Sequence, residues 1–70
     1  MSEIQSILFD KSKRTLIDSL EWLISHNITP TKIHETDKFY RFRINDPKKY
    51  THLITKKIPD KGISFIIGFR

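Results

Sequence analysis

Only one stretch of this chain has the periodicity of an α-helix, and this restricts the possible fold more than any other feature. Thr15, with Asp18 three residues later, forms the sequence signature of a capped helix start. Asn27 suits a left-handed residue at the helix end, and Pro30 prevents continuation. The apolar residues between these signals have the i, i+1, i+4, i+7, i+8 spacing of an amphipathic helix: Leu16, Ile17, Leu20, Leu23 and Ile24. The pattern predicts one helix, Leu16–His26, with these residues facing the core.

The rest of the chain has the pattern of short strands separated by turns. The predicted strands are Ile4–Phe9, Lys32–Thr36, Phe39–Ile44, Leu53–Ile58 and Ile63–Phe69. The turn Asn45-Asp46-Pro47 can open a single helical turn that reaches Tyr50, and Gly62 suits a positive φ in the turn before the last strand. The last strand is apolar on both sides, so we expect it to be central and covered on both faces. The order β-α-β-β-β-β predicts an α+β fold, with one amphipathic helix packed on a small antiparallel sheet.

The length of 70 residues predicts a single domain, residues 1–70, with a thin core. Small domains often compensate with disulfides, metals or self-association, and this chain contains no cysteine. We therefore expect a homodimer. Residues 1–9 lack the basic start and apolar middle of a signal peptide, and no apolar run approaches the roughly 20 residues of a membrane span. We expect an intracellular protein that is not secreted and has no membrane partner.

Trp22 falls on the polar side of the predicted helix, beside residues such as Asp18 and His26. A large aromatic side chain at such a position needs a neighbour that covers it. Two arrangements would supply one: the N-terminal segment of the same chain, or a second subunit. The second arrangement makes Trp22 a candidate residue for self-association.

The net charge of +5 is concentrated in the second half of the chain. Residues 1–30 contain three basic and four acidic residues, whereas residues 31–70 contain ten basic and four acidic residues. A positive field of this kind attracts polyanions such as nucleic acids. The alternative is that the charge only keeps the protein soluble.

The strand Phe39–Ile44 gives the sharpest functional signal. Alternation places Phe39, Arg41 and Arg43 on one face, while the other face supplies core side chains: Tyr40, Phe42 and Ile44. Arginine binds phosphates and aromatic rings stack on bases, so the first face is a candidate nucleic-acid site. Further basic residues could extend it: Lys32, His34, Lys48, Lys49, Lys56 and Lys57. Two alternatives remain, an edge strand protected by charge and pairing of the arginines with carboxylates of a partner subunit.

Signals of catalysis are weak in this sequence. His26, His34 and His52 match no zinc-binding spacing, and no cysteine is present to complete one. Gly62 and Gly68 cannot form a phosphate-binding loop of the G-x-x-x-x-G-K type. We therefore expect a protein that is not an enzyme and uses no cofactor and no metal.

With these residues in view, the chain resembles a family of very small proteins and domains of large DNA viruses of amoebae and of tailed phages. The shared elements are a Thr-started helix containing Trp-Leu, an Arg-Phe-Arg strand, a Lys-rich segment and an apolar tail containing glycine. Here they are Thr15-Leu16 through Trp22-Leu23, Tyr40-Arg41-Phe42-Arg43, Thr55-Lys56-Lys57-Ile58, Gly62-Ile63 and Ile66-Ile67-Gly68. The resemblance implies a viral, virion-associated, non-enzymatic protein, located in the virion and the infected host cell. It implies no ligand and no catalytic residues.

Two functions follow from the sequence. The first is a small basic protein that self-associates and binds nucleic acid through Arg41, Arg43 and the nearby lysines. The second is a structural or interaction module, in which the same arginines bind an acidic viral or host protein. Salt dependence separates them, because nucleic-acid binding weakens steeply with salt.

Overall fold

One helix and a five-stranded antiparallel sheet form the fold. The computed structural model describes residues 2–70, and at position 59 it describes only the backbone. The elements in chain order are β1 (Ser2–Asp10), α1 (Leu16–Ser25), β2 (Lys32–Glu35), β3 (Phe39–Arg43), β4 (His52–Ile58) and β5 (Ile63–Phe69). Single 3₁₀ turns at Pro47–Lys49 and Pro59–Lys61 precede β4 and β5. The predicted α+β class, element order and helical turn before Tyr50 are confirmed.

The strands are arranged in the order β2-β3-β1-β5-β4, with every neighbouring pair antiparallel. The register of β1 against β5 shifts between Ile4 and Ser6, which leaves Gln5 as an extra residue in a bulge. The prediction that β5 lies inside the sheet is confirmed. The prediction that it is covered on both faces is wrong, because α1 lies on one face, while on the other the half-buried Ile66 borders an open surface.

The core lies between α1 and one face of the sheet. Its fully buried apolar side chains are Ile7, Phe9, Leu23, Phe42 and Ile63. Phe9 sits at its centre, with its ring edge-on to Phe42 at 5.4 Å and to Trp22 at 5.8 Å between centroids. Such edge-to-face pairs add about 0.5–1.5 kcal/mol to the free energy gained by burying the rings.

The helix is rotated about its axis relative to the face predicted from its apolar residues. Ile17 and Ile24 were expected in the core but are 67% and 73% exposed. Trp22 and Ser19 lie on the side of the helix opposite the predicted apolar stripe, yet Ser19 is fully buried and Trp22 packs against the core. The reason is the larger apolar area of the tryptophan ring, which gains more from burial than an isoleucine does.

The ends of α1 follow the predicted capping. Thr15 Oγ1 accepts a hydrogen bond from the Asp18 backbone N–H at 3.1 Å, and the Asp18 carboxylate accepts one from the Thr15 N–H at 3.3 Å. At the other end, Asn27 has a φ of 57°. The Ile28 N–H then donates to the Leu23 carbonyl at 2.9 Å, which closes the last turn. The helix ends at Ser25, one residue before the predicted end.

Candidate nucleic-acid interface

The face of the sheet that points away from α1 carries the predicted site, and we call it the open face. The ladder pairing and the alternation along each strand define its members. They are Glu3, Ser6, Leu8 and Asp10 on β1, Lys32 and His34 on β2, Phe39, Arg41 and Arg43 on β3, Leu53, Thr55 and Lys57 on β4, and Ser64, Ile66 and Gly68 on β5.

Four basic side chains converge on the open face at one edge of the sheet. The pairing of β2 with β3 sets Lys32 directly opposite Arg43, and His34 directly opposite Arg41. Together they line a cavity of about 120 Å³, which we call the basic pocket. Arg41, Arg43 and Lys32, which the sequence singled out, are therefore brought together, and His34 completes the set.

The hairpin that joins β2 to β3 is held at both ends, and this fixes the register of the basic pocket. At the turn, the Thr36 N–H donates to the Phe39 carbonyl at 2.8 Å, and the Phe39 N–H donates to Thr36 Oγ1 at 3.0 Å. At the open end, the Thr31 N–H donates to the Arg43 carbonyl at 2.8 Å. A slip by one residue would send every side chain of β2 to the other face, so these bonds determine that Lys32 faces Arg43.

Within residues 2–70, no carboxylate forms an ion pair with a residue of the basic pocket. Elsewhere in this part of the chain, Lys11 pairs with Glu35 and Arg70 pairs with Glu3. On β1, the residues opposite Arg41 and Arg43 are Leu8 and Ser6, which are uncharged. Like charges directly opposite one another on paired strands destabilise a sheet, so the pair of Lys32 and Arg43 works against folding in the absence of a bound anion.

Protection of a sheet edge does not account for the two arginines. Edge strands often carry charged residues that prevent pairing with other chains. However, β3 lies inside the sheet, between β2 and β1, and β2 forms the edge on that side. The edge explanation therefore applies to Lys32 and His34 but not to Arg41 or Arg43.

Apolar side chains adjoin the basic pocket on the open face. Phe39 lies two residues from Arg41 on the same side of β3 and is half-buried. Leu8, next to Arg41 on β1, and Ile66, next to Ser6 on β5, are also half-buried. The open face thus combines cations at one edge with a shallow apolar surface towards its middle.

Lys49 lies near the basic pocket, whereas Lys48 is not among the residues around it. Lys49 lines a hollow of about 490 Å³ that shares Lys32 and Arg43 with the basic pocket. The 3₁₀ turn that holds it is capped by Asp46, whose carboxylate accepts from the Lys48 N–H at 2.9 Å.

The turn is also tied to the bulge in β1. The buried side chain of Gln5 donates from Nε2 to the Asn45 carbonyl at 2.9 Å, and Asn45 Nδ2 donates to the Ile4 carbonyl at 2.9 Å. The bulge therefore helps to position the turn, and with it Lys49, beside Arg43.

The two lysines of β4 lie on opposite faces of the sheet. Lys57 belongs to the open face and pairs with Ser64, but three strand spacings, about 14 Å, separate its strand from β3. Lys56 pairs with Phe65 on the α1 side, so it does not extend the arginine stripe. Alternation along a strand is the physical reason, because adjacent residues point to opposite faces.

A second cluster on the open face was not predicted from the sequence. The ring of Tyr50 lies on Gly68, where a Cβ would be 2.5 Å and 2.6 Å from its two Cδ atoms. The Tyr50 hydroxyl donates to Glu3 Oε2 at 3.4 Å, and Glu3 also binds Arg70. Burial raises the pKa of the Tyr50 phenol, and the Glu3 carboxylate raises it further. A glycine inside an apolar strand was the signal for this close approach.

Trp22 is covered by its own chain, the first of the two arrangements that the sequence allowed. Its ring stacks on His26 at 3.9 Å and contacts Phe9 of β1 and Phe65 of β5 at 5.8 Å and 6.1 Å between centroids. Self-association through Trp22 stays a prediction.

Comparison with known proteins adds no assignment: no protein-family model, curated protein or solved structure matches this chain. Within residues 2–70, no helix is long and apolar enough to cross a membrane. In the same residues, no three histidine, aspartate or glutamate side chains are grouped so that they could hold a metal ion. What the arrangement can do chemically is bind an anion in the basic pocket and apolar groups beside it.

Proposed function

We propose that this domain binds single-stranded nucleic acid on the open face of its sheet, and that it acts by binding and not by catalysis. The observation that carries the proposal is the like-charge pair of Lys32 and Arg43, which lie directly opposite one another on β2 and β3, with Arg41 in the same pocket and no carboxylate of residues 2–70 in an ion pair with them. A bound phosphate would turn this repulsion into attraction.

The side chains of the basic pocket suit phosphate oxygens. Arg41 and Arg43 can each present two parallel N–H donors to one phosphate, and such charge-assisted bonds are about twice as strong as neutral ones. Lys32 supplies a further mobile cation, and the imidazole of His34 a further donor. Lys49 adds a cation in the neighbouring hollow, which Asp46 also lines.

The apolar part of the open face favours a single strand over a duplex. Bases in a single strand can unstack and lie against aromatic and apolar side chains, whereas in a duplex their faces are covered. Phe39 and Leu8 are placed to receive such bases beside Arg41.

The test is a measurement of affinity for single-stranded and duplex DNA of random sequence at several salt concentrations. The double variant Arg41→Ala, Arg43→Ala should lower the slope of log K against log salt by about 1.4 on single strands, since each lost phosphate contact contributes about 0.7. The matched control is Lys56→Ala, Lys61→Ala, which removes the same charge from exposed positions outside the open face. The control should bind nearly as the parent does.

An absence of binding by the parent at low salt would refute this proposal. In that event the acidic protein partner becomes the function to pursue, with the same arginines pairing to carboxylates. Homodimer formation and the viral, virion-associated origin implied by the resemblance remain predictions. A light-scattering mass at tens of micromolar tests the first of these.

A further inference from the structure

We infer that the basic pocket recognises a terminal phosphate, so that the domain binds the phosphorylated end of a single strand in preference to its interior. This inference rests on the proposed function and specifies which part of the nucleic acid occupies the basic pocket. It follows from the charge, the size and the surroundings of the basic pocket.

The charge of the basic pocket exceeds what an internal phosphate needs. Lys32, Arg41 and Arg43 supply three cations around one cavity, and His34 adds a further donor. An internal phosphodiester carries a single negative charge with two free oxygens. A terminal phosphomonoester carries about −1.5 to −2 at pH 7 and presents three strong acceptor oxygens. The terminal group therefore satisfies more of the donors and offsets more of the repulsion between them.

The size of the basic pocket also fits one phosphate group. Its volume is about 120 Å³, against about 490 Å³ for the hollow that shares Lys32 and Arg43 with it. A phosphate needs less room than a nucleoside, so the smaller cavity suits the phosphate and the larger hollow the nucleoside. A phosphate at the end of a chain can enter such a cavity more easily than a phosphate linked on both sides.

The surroundings leave room for the nucleotide that carries the phosphate. The hollow of about 490 Å³ that contains Lys49 begins at the same Lys32 and Arg43 side chains. A terminal phosphate held in the basic pocket would place its nucleoside in or beside this hollow. The following bases would then pass over the apolar part of the open face.

The experiment compares three oligonucleotides of one sequence, with a phosphate at the 5′ end, a phosphate at the 3′ end, or hydroxyls at both ends. An internal fluorophore leaves the ends free, and ionic strength is held constant. We expect one of the phosphorylated strands to bind about tenfold more tightly than the hydroxyl strand, the gain from a charge-assisted contact of about 1.4 kcal/mol. The identity of that strand assigns the end that is recognised.

Two variants locate the effect. Arg41→Lys keeps the charge but removes the two-pronged donor, so it should weaken binding of the phosphorylated strand more than binding of the hydroxyl strand and thereby reduce the end preference. Lys57→Ala removes a cation of the open face outside the basic pocket and should keep the end preference. Melting curves of both variants confirm that they are folded.

Each outcome decides the inference. Equal binding of the three strands would overturn it and leave the proposed function standing. An end preference that Arg41→Lys leaves unchanged would overturn the assignment to the basic pocket. Inorganic phosphate that binds as tightly as the phosphorylated strand would show that the free anion is the ligand, which also overturns it. Absence of binding by every strand would refute the proposed function itself.

Discussion

Reversing the charge of Lys32 should stabilise the fold and weaken nucleic-acid binding at the same time. Lys32 lies directly opposite Arg43 on the open face, so Lys32→Glu replaces a repulsive cross-strand pair with an attractive one. Each kind of pair shifts stability by roughly 0.2–1 kcal/mol, and the exposure of Lys32 places the effect at the low end. We expect a gain of about 0.4 kcal/mol, about 0.2 from each kind of pair, or a rise in Tm of about 2–3 °C for a domain of this size.

The same substitution removes one phosphate-binding cation and places a carboxylate beside the phosphate. The loss of a hydrogen bond to a charged group costs about 1.5–3 kcal/mol, which lowers affinity by roughly tenfold to a hundredfold. Thermal melting at low salt measures the first effect, and fluorescence anisotropy with a labelled single strand measures the second. A residue with a purely structural role would not change stability and affinity in opposite directions.

Lys56→Glu is the matched control, because it makes the same change of charge on the other face of the sheet and at the opposite edge. Its distance from the basic pocket exceeds the screening length of about 8 Å at physiological salt, so affinity should change little. A lower Tm for Lys32→Glu would refute the reasoning from like charges. Unchanged affinity of Lys32→Glu would show that the nucleic acid does not occupy the basic pocket.

Three further predictions test the fold by thermal or denaturant unfolding. Gly68→Ala should destabilise the domain by about 1–3 kcal/mol, because the new Cβ would displace the Tyr50 ring that packs on the strand. In the double variant Gly68→Ala, Tyr50→Ala that ring is absent, so the loss of stability should be smaller than the sum of the losses in the two single variants. Ile24→Ser should change stability by less than about 0.5 kcal/mol, whereas Leu23→Ala should cost about 2–5 kcal/mol, and similar costs would contradict the observed rotation of α1. Thr15→Ala should cost about 1 kcal/mol through the lost cap, and an unchanged midpoint would show that the capping bonds contribute nothing.

The element boundaries were predictable because local chemistry sets them. Thr15 and Asp18 can cap a helix with their own side chains, whatever the rest of the chain does. Asn27 and Gly62 both adopt the left-handed backbone expected of them, with φ of 57° and 66°. These signals act within a few residues, so a single sequence contains all the information they need.

The rotation of α1 was not predictable from the helix alone. Counting apolar residues favours the side that contains Ile17 and Ile24, because it treats each of them as equal to Trp22. The observed side is selected by the sheet, where Phe9 and Phe65 offer aromatic contacts to the tryptophan. Packing partners from distant parts of the chain decide which of two possible helix faces is buried. The spacing of residues along the helix carries no information about these partners.

The composition of the site was predictable only in part, for a similar reason. Alternation along β3 correctly grouped Arg41 with Arg43, because that relation lies within one strand. The addition of Lys32 and His34 required the register between β2 and β3. To predict that Lys56 lies apart from the cluster, one must know the register of β4 against β5, and a list of basic residues does not give that register.

Strand order changes what the arginine pattern means. At a sheet edge, Arg41 and Arg43 would be sufficiently explained as charges that prevent unwanted pairing, and no ligand would be implied. Here β1 occupies the centre of the sheet and pairs with β3 on one side, while β2 covers β3 on the other. Edge protection can explain Lys32 and His34 on β2, but for Arg41 and Arg43 the proposed binding of phosphate supplies the explanation that edge protection does not.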